Sequence, residues 1–123
     1  MMKWFDELYS WQKAQDLAIK VINTFSSIKD ENFAKMTIEF GIWISNELAK
    51  WYENQFDMEF KLSVLEAKWI CGKFRSMLHL AKKLEYIKID SFDELYKMTG
   101  EVMWLMWWMV KSIKEKASKK ATK

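Results

Sequence analysis

The feature that most limits the fold of this chain is its lack of residues that end helices. No proline occurs among the 123 residues, and the only glycines are Gly41, Gly72 and Gly100. Proline and glycine are the residues that most often mark turns and interrupt helices. Half of the residues are hydrophobic, which allows a single domain of this length to bury a core. The sequence therefore favours long helices joined by short polar connections.

Hydrophobic residues recur at steps of three and four along four segments, the spacing of one buried helix face. The predicted helices span about residues 4–28, 31–55, 58–86 and 92–117; together they form one domain, 1–117, followed by a basic flexible tail, 118–123. Short connections between helices of this length favour antiparallel neighbours. The predicted fold is an all-α, up-down-up-down four-helix bundle. The apolar side of helix two is expected to consist of Phe33, Met36, Phe40, Trp43, Ile44, Leu48 and Trp51.

Local signals predict where two helices begin and where two come close. Asp30 is expected to cap helix two, because an aspartate side chain accepts a hydrogen bond from a free N–H of the first turn. Ser91 and Glu94 have the spacing of a capping box, which places the start of helix four there. Gly41 lies inside helix two and predicts a close approach of a neighbouring helix.

Residues that could carry catalysis or bind a metal are scarce. Cys71 is the single cysteine and His79 the single histidine, so the chain can form no intrachain disulfide, thiolate cluster or two-histidine metal site. Eight residues on one helix separate the two by about 12 Å, too far for a nucleophile–base pair. We expect Cys71 to be a small buried hydrophobic residue. We expect no enzyme activity, no catalytic or metal-ligating residue and no cofactor.

Other features bear on location. The N-terminus lacks the apolar run of a signal peptide, and a lone cysteine is typical of a reducing compartment. The longest uncharged apolar stretch, residues 102–110, has nine residues, against the roughly 20 that span a bilayer. A cytoplasmic location without a transmembrane segment is expected.

The eight tryptophans raise the question of self-association. Trp104, Trp107 and Trp108 fall outside the inner stripe of helix four, which is therefore apolar on all sides for more than two turns. Such a helix is normally covered on every side, so a homo-oligomer is expected. Alternatively, helix crossing angles and the C-terminal tail could bury these rings within one subunit. With Trp69, on a second apolar stripe of helix three, they form the predicted oligomer interface.

Basic residues concentrate in helix three and at the end of the chain. Residues 111–123 carry six lysines and one glutamate, whereas residues 1–110 carry 14 basic and 16 acidic groups. Such residues neutralise phosphates, which suggests nucleic acid as a partner; they also complement the C-terminal dipole of a helix, and a lysine-rich tail can serve solubility alone. The candidate nucleic-acid-binding residues are Lys68, Lys73, Arg75, Lys82, Lys83, Lys111, Lys114, Lys116, Lys119 and Lys120.

The helices also resemble a known family. Phe5-Asp6-Glu7-Leu8, Trp11-Gln12-Lys13-Ala14 and Asp16-Leu17-Ala18 are similar to the opening of the four-helix-bundle proteins encoded in 23S rRNA intervening sequences. Residues 80–87 are similar to the end of that family's third helix, and the resemblance covers about residues 4–115. Residues 101–112 are similar in register to a related branch, the accessory variability determinants of diversity-generating retroelements. The resemblance implies a homopentameric ring that contacts RNA or DNA and associates with a reverse transcriptase.

Three functional hypotheses follow from these observations. The leading one is a non-enzymatic oligomeric bundle that acts as a nucleic-acid-associated accessory factor. The second is a protein-interaction or structural module, in which Trp104 and Trp108 receive a partner's helix. The third is attachment to a membrane surface, with tryptophan rings at the interface and lysines near lipid headgroups.

The chain also departs from the family that it resembles. In helix two, Gly41 and Ile42 occupy the place of an arginine pair that is usual in that family.

Overall fold

The computed structural model describes the backbone of residues 4–53 and 60–121, and the side chains of residues 9–51, 53 and 65–111. Within these ranges the chain forms four α-helices and no strand: α1 (Trp4–Phe25), α2 (Glu31–Glu53), α3 (Phe60–Lys83) and α4 (Ile89–Ala121). Helices α1 and α3 each pack against both α2 and α4. The predicted all-α four-helix bundle is confirmed.

The inner faces of all four helices form the core. The close approach that the sequence predicts lies at Gly41 of α2, where an added Cβ would stand 3.2 Å from Cγ1 of Val21 in α1. The prediction that Gly41 marks a close approach is therefore confirmed. Burying a large apolar side chain stabilises a fold by roughly 1.5–3 kcal/mol. The largest fully buried side chains include Trp51, Phe25, Phe74, Leu17, Ile44 and Leu78.

Helix α1 ends at Phe25, three residues before the predicted end. The N–H of Ile28 donates a hydrogen bond to the carbonyl of Phe25 (3.2 Å), which makes a tight turn in place of a further helical turn. Helix α2 then begins after Asp30, whose Oδ1 accepts a hydrogen bond from the N–H of Phe33 (3.1 Å). This bond confirms the predicted cap.

Asp30 also joins two connections at one end of the bundle. Its Oδ2 accepts a hydrogen bond from the hydroxyl of Tyr86 (2.9 Å), which lies between α3 and α4. The bond from the Phe33 N–H, and then the bond from Tyr86, hold the pKa of the Asp30 carboxyl below its ordinary value. A single aspartate therefore caps α2 and links the α1–α2 connection to the α3–α4 connection.

Helix α3 ends at Lys83, three residues before the predicted end, because the chain forms a Schellman motif. The N–H of Tyr86 donates to the carbonyl of Ala81 (2.9 Å), and the N–H of Glu85 donates to that of Lys82 (3.1 Å). Glu85 has a φ of 60°, in the left-handed region that usually favours glycine. Since no glycine marks this position, the sequence pattern continues past the true end of the helix.

Helix α4 begins at Ile89, so the predicted capping box at Ser91 is wrong. The N–H of Phe92 donates to the carbonyl of Lys88 (3.0 Å), which places Ser91 inside the first helical turn. At its other end α4 continues to Ala121, so residues 118–121 of the predicted flexible tail are helical. Lysine and alanine are good helix formers, and no glycine or proline interrupts them. The predicted end of helix two at 55 and start of helix three at 58 lie outside the described residues.

Candidate functional site

A row of cations on α3 covers aromatic rings of α4. Arg75 and Lys82 lie seven residues apart, close to two helical turns, and therefore share one side of α3. The guanidinium carbon of Arg75 lies 4.4 Å from the centre of the Tyr96 ring, and Nζ of Lys82 lies 4.5 Å from the centre of the Phe92 ring. A cation over a ring face is attracted by the negative charge of that face.

His79 occupies the space between these two contacts. Its ring centre lies 5.0 Å from that of Phe92 and 5.5 Å from that of Tyr96. The two α4 rings stack on each other, with centres 5.4 Å apart. The three α3 side chains form a row about 10 Å long, given the rise of a helix. We call these five residues, Arg75, His79, Lys82, Phe92 and Tyr96, the cation–aromatic seam.

The two strong cations of the seam differ in their access to solvent. Lys82 is exposed above the buried Phe92, whereas Arg75 is half-buried. Nη2 of Arg75 lies 2.9 Å from where a Cβ at Gly100 would stand, so this glycine leaves room for the guanidinium on α4. Nε of Arg75 is buried, and no group in the described part of the chain accepts its hydrogen. Arg75 therefore fastens α3 to α4, while Lys82 presents its charge outward.

The other predicted phosphate contacts of α3 are exposed but lie on different sides of the helix. Lys68 precedes Arg75 by seven residues and shares its side. Lys73 is rotated by about 200° from Arg75 and lies on the side of α3 that faces α2. Lys83 follows Lys82 on the outward side. Of the predicted set, Lys68, Arg75 and Lys82 lie along one side of α3 over about 21 Å, and Lys73 lies on a different side.

The tryptophans of α4 form an exposed cluster near the middle of the helix. Trp104, Trp107 and Trp108 are 60%, 55% and 44% exposed, so packing among the described residues leaves them uncovered in one subunit. The rings of Trp104 and Trp108, and those of Trp107 and Trp108, meet edge to face with centres 5.8 and 5.2 Å apart. They present roughly 400 Å² of aromatic surface, comparable to the largest apolar patch on a typical monomer.

Lys111 belongs to this cluster. Its Nζ lies 5.3 Å from the centre of the Trp107 ring and 5.2 Å from that of Trp108. This predicted phosphate contact is therefore in the tryptophan cluster and not in the seam. The side chains of the remaining predicted contacts lie outside the described residues; these are Lys114, Lys116, Lys119 and Lys120.

Trp69, the fourth predicted interface residue, lies on another side of the bundle. Glu66, three residues before Trp69, forms an ion pair with Lys50 of α2 (3.5 Å), and this contact places that side of α3 against α2. Trp69 is 56% exposed and makes no ring contact with the three tryptophans of α4. The four predicted interface residues thus divide between two surfaces.

The second surface was not predicted from the sequence. Met36 and Trp43 of α2, which were expected to be buried, are 52% and 50% exposed. Lys50 follows Trp43 by seven residues, so Trp43 lies on the same side of α2 as Lys50, the side that faces α3. Together with exposed residues on the facing side of α3 and in the turn that follows it, Met36 and Trp43 make up what we call the α2–α3 apolar face. Its members are Met36, Trp43, Trp69, Leu80 and Leu84.

The displacement of Met36 and Trp43 has a simple cause. The buried side of α2 includes small side chains, Ala34, Thr37, Gly41 and Ser45, beside Ile44. These let α1 approach closely and rotate the large residues of the predicted stripe toward solvent. A pattern of large apolar residues alone points to the wrong side of such a helix. Buried small residues at steps of three and four would have indicated the true inner face.

Two carboxyl groups lie at one end of the α2–α3 apolar face. Oε2 of Glu47 is buried and accepts no hydrogen bond from the described residues. Burial raises the pKa of Glu47; Lys50 offsets part of this effect, and the neighbouring carboxyl of Glu66 adds to it. This end of the face therefore carries two acidic groups and one lysine.

The residues considered for catalysis have unreactive surroundings. Cys71 is fully buried, as predicted, and burial raises the pKa of its thiol to about 12, so it stays protonated at neutral pH. The described residues include no group of three or more His, Cys, Asp or Glu side chains that could hold a metal ion. None of the described helices has an apolar stretch long enough to cross a bilayer.

The bundle has a counterpart among solved structures. It matches the crystal structure of a protein with unknown function from the S23 ribosomal protein family of Bacteroides thetaiotaomicron VPI-5482, with a TM-score of 0.78. The two chains share one fold. The match covers 87% of this chain and 99% of the other at 16% sequence identity, and it confirms for the fold the resemblance to the intervening-sequence proteins. No family model and no curated protein matches the sequence.

Within this fold, charge divides between the two halves of the chain. Residues 1–53 carry six basic and eight acidic side chains, whereas residues 54–123 carry 14 basic and nine acidic ones. Helices α3 and α4 therefore make the basic half of the bundle, and this half contains both the seam and the tryptophan cluster.

Proposed function

We propose that this chain is a non-enzymatic, self-associating member of the intervening-sequence family that binds RNA as an accessory factor. The observation that carries the proposal is the cation–aromatic seam, in which exposed Lys82 stands beside Arg75 and His79 on the basic half of the bundle. RNA is the nucleic acid chosen because the structural counterpart is named for a ribosomal protein family.

RNA would contact the seam mainly through its phosphates. Lys68, Lys82 and Lys83 are exposed and can each neutralise one phosphate, while Arg75 holds the surface in place. Phe92 is buried under Lys82 and offers no free face for a base. The contact is therefore electrostatic, and three phosphates correspond to a slope of roughly −2 for log K against log salt on single-stranded RNA. The C-terminal lysines would add to this slope.

Self-association would cover the tryptophan cluster. Trp104, Trp107 and Trp108 are exposed in one subunit, and aromatic residues are enriched at the centres of protein interfaces. The family resemblance adds the expectation of five subunits. Light scattering coupled to size-exclusion chromatography should then give a discrete multiple of the 14.9 kDa subunit mass. Tyr96 of the seam precedes Trp104 of the cluster by about two helical turns, so both surfaces can act at once.

RNA binding is tested with a charge-reversal pair. Changing Lys68→Glu and Lys82→Glu together should weaken binding of a fluorescent single-stranded 20-nucleotide RNA by more than about tenfold at 50 mM salt, with a flatter salt dependence. Fluorescence anisotropy measures both quantities. The matched control is Lys29→Glu with Lys35→Glu, which makes the same charge change at exposed lysines in the first half of the chain.

Equal weakening by the two double variants would show that only net charge matters and would remove the seam from the proposal. No binding by the unaltered protein, in the presence of a discrete oligomer, would favour a second function. That function is a protein-interaction module, supported by the exposed tryptophans, for which the resemblance suggests a reverse transcriptase as partner. Equal binding of DNA of the same sequence would widen the ligand class to nucleic acid in general.

A further inference from the structure

The bundle exposes two apolar surfaces of similar size on different helices. The tryptophan cluster lies on α4, and the α2–α3 apolar face lies on the pair of helices that contains no part of it. The five side chains of the α2–α3 apolar face, between 45% and 56% exposed, present roughly 500 Å², against roughly 400 Å² for the cluster. Each is about as large as the largest apolar patch on a typical monomer, and the presence of two such patches on one bundle favours a partner that covers them.

The two surfaces carry opposite charge at the same end of the bundle. Lys111 stands over the tryptophan cluster, while Glu47 and Glu66 outnumber Lys50 at the corresponding end of the α2–α3 apolar face; Lys73 lies farther along that face. Sδ of Met109 accepts a hydrogen bond from the hydroxyl of Ser10, which lies near the start of α1 and therefore at the end of the bundle where α2 finishes. A neighbouring copy placed side by side, with its axis parallel, would bring Lys111 level with these carboxyl groups.

A symmetric pairing of two copies would leave one of the two apolar surfaces exposed and would bring like charges together. Two copies that joined tryptophan cluster to tryptophan cluster would cover α4 but leave the α2–α3 apolar face exposed on both. Such a pairing would also bring the two Lys111 side chains into one interface. A head-to-tail contact between different surfaces covers the tryptophan cluster and the part of the α2–α3 apolar face around Trp43 and Trp69, and it pairs lysine with glutamate.

We propose that the tryptophan cluster of one copy docks on the α2–α3 apolar face of the next copy, with Lys111 approaching Glu47 and Glu66. The occupant of the α2–α3 apolar face is thus a second copy of this chain. The inference rests on the self-association proposed above, and it identifies the surface that receives α4. Repetition of the contact builds a ring or a filament and not an isolated dimer.

Two complementary variants test this contact. Variant A carries Trp43→Glu and Trp69→Glu, which block the α2–α3 apolar face; variant B carries Trp104→Glu and Trp108→Glu, which block the cluster. All four side chains are half exposed or nearly so, so both variants should keep the helical circular dichroism of the unaltered protein. Each alone should be monomeric by light scattering, because each lacks one half of the contact. Their mixture should form a one-to-one heterodimer through the remaining intact pair of surfaces.

The outcomes separate this inference from the proposed function. A monomeric unaltered protein would overturn self-association itself. An oligomeric unaltered protein with self-association of variant A would show that α4 pairs with α4, and would overturn the docking surface alone. Failure of the mixture to associate would also overturn it. Should a glutamate variant lose its helical signal, the corresponding glutamine variants replace it in the same mixing experiment.

A charge exchange gives an independent measurement. Lys111→Glu should weaken assembly by more than about tenfold at low salt, and adding Glu66→Lys to the same chain should restore at least part of the affinity. A control exchange at Lys20 and Glu94, an ion pair that joins α1 to α4 within one copy (3.2 Å), should leave assembly unchanged. Restoration that is no better than in the control would contradict the proposed approach of Lys111 to the two glutamates.

Discussion

At the scale of single residues, the glycines show how position decides the effect of one methyl group. Gly72 is exposed within α3, and an added Cβ would meet nothing within 4 Å. Gly41 is buried within α2, and the same Cβ would stand 3.2 Å from Val21 of α1. Alanine at either position gains helix propensity, but only position 72 has free space.

Gly72→Ala should therefore raise the free energy of unfolding by about 0.5–1 kcal/mol, as expected for glycine in a helix interior. Gly41→Ala should gain less, because α1 must move by a few tenths of an ångström to admit the methyl group. Urea unfolding at one protein concentration measures both, which keeps any effect of assembly constant. Equal gains at the two positions would contradict the close contact between α1 and α2.

At the scale of helices, the end of α3 holds an unusual residue. Glu85 occupies the left-handed position of the Schellman motif, with a φ of 60°, where a side chain costs about 1 kcal/mol relative to glycine. Its carboxylate also lies at the negative end of the α3 dipole. Both effects destabilise the connection that carries Tyr86 to its hydrogen bond with Asp30.

Glu85→Gly should raise the free energy of unfolding by about 1 kcal/mol, since glycine adopts this conformation without strain. Glu85→Ala is the matched control, because it removes the charge and keeps the side-chain strain, so it should recover only a few tenths of a kcal/mol. Thermal and urea unfolding measure the difference. An alanine variant as stable as the glycine variant would assign the destabilisation to charge and not to the backbone.

At the scale of the whole molecule, Glu47 connects stability to the proposed assembly. Its pKa is raised, chiefly by burial, so ionisation of Glu47 destabilises the isolated subunit. This destabilisation is fully present above the folded-state pKa and disappears as pH falls through that pKa toward the ordinary value of a glutamate. A cation supplied by a second copy would favour the ionised form.

Glu47→Gln should therefore make the isolated subunit more stable at pH 7, and this gain should shrink as the solution is acidified toward pH 4. The measurement uses variant B as the background, since that variant is expected to be monomeric. In the chain with an intact cluster, the same change should weaken assembly. A stability gain that is independent of pH would show that the buried carboxylate is not its cause.

Local physics made much of the fold predictable. The number, order and antiparallel arrangement of the helices follow from apolar spacing and short connections. The cap at Asp30 and the close approach at Gly41 were also correct, because each depends on one residue type in a helical context. The end of α3 at Lys83 was missed, because Glu85 adopts a left-handed backbone conformation that a glutamate in the sequence does not indicate.

The candidate surfaces could be predicted only in part, because their contacts and exposure depend on how separate helices pack together. Sequence alone identified the exposed tryptophans of α4 and the basic side chains of α3, because their types and spacing are local properties. The contacts of Arg75 with Tyr96 and of Lys82 with Phe92 required the register of α3 against α4, which is set by packing. The exposure of Trp43 required the rotation of α2 about its axis, which small buried residues and the approach of α1 determine. The sequence by itself determined which helices form; only the tertiary structure decided which of their faces meet solvent, because that depends on the fit of side chains from separate helices.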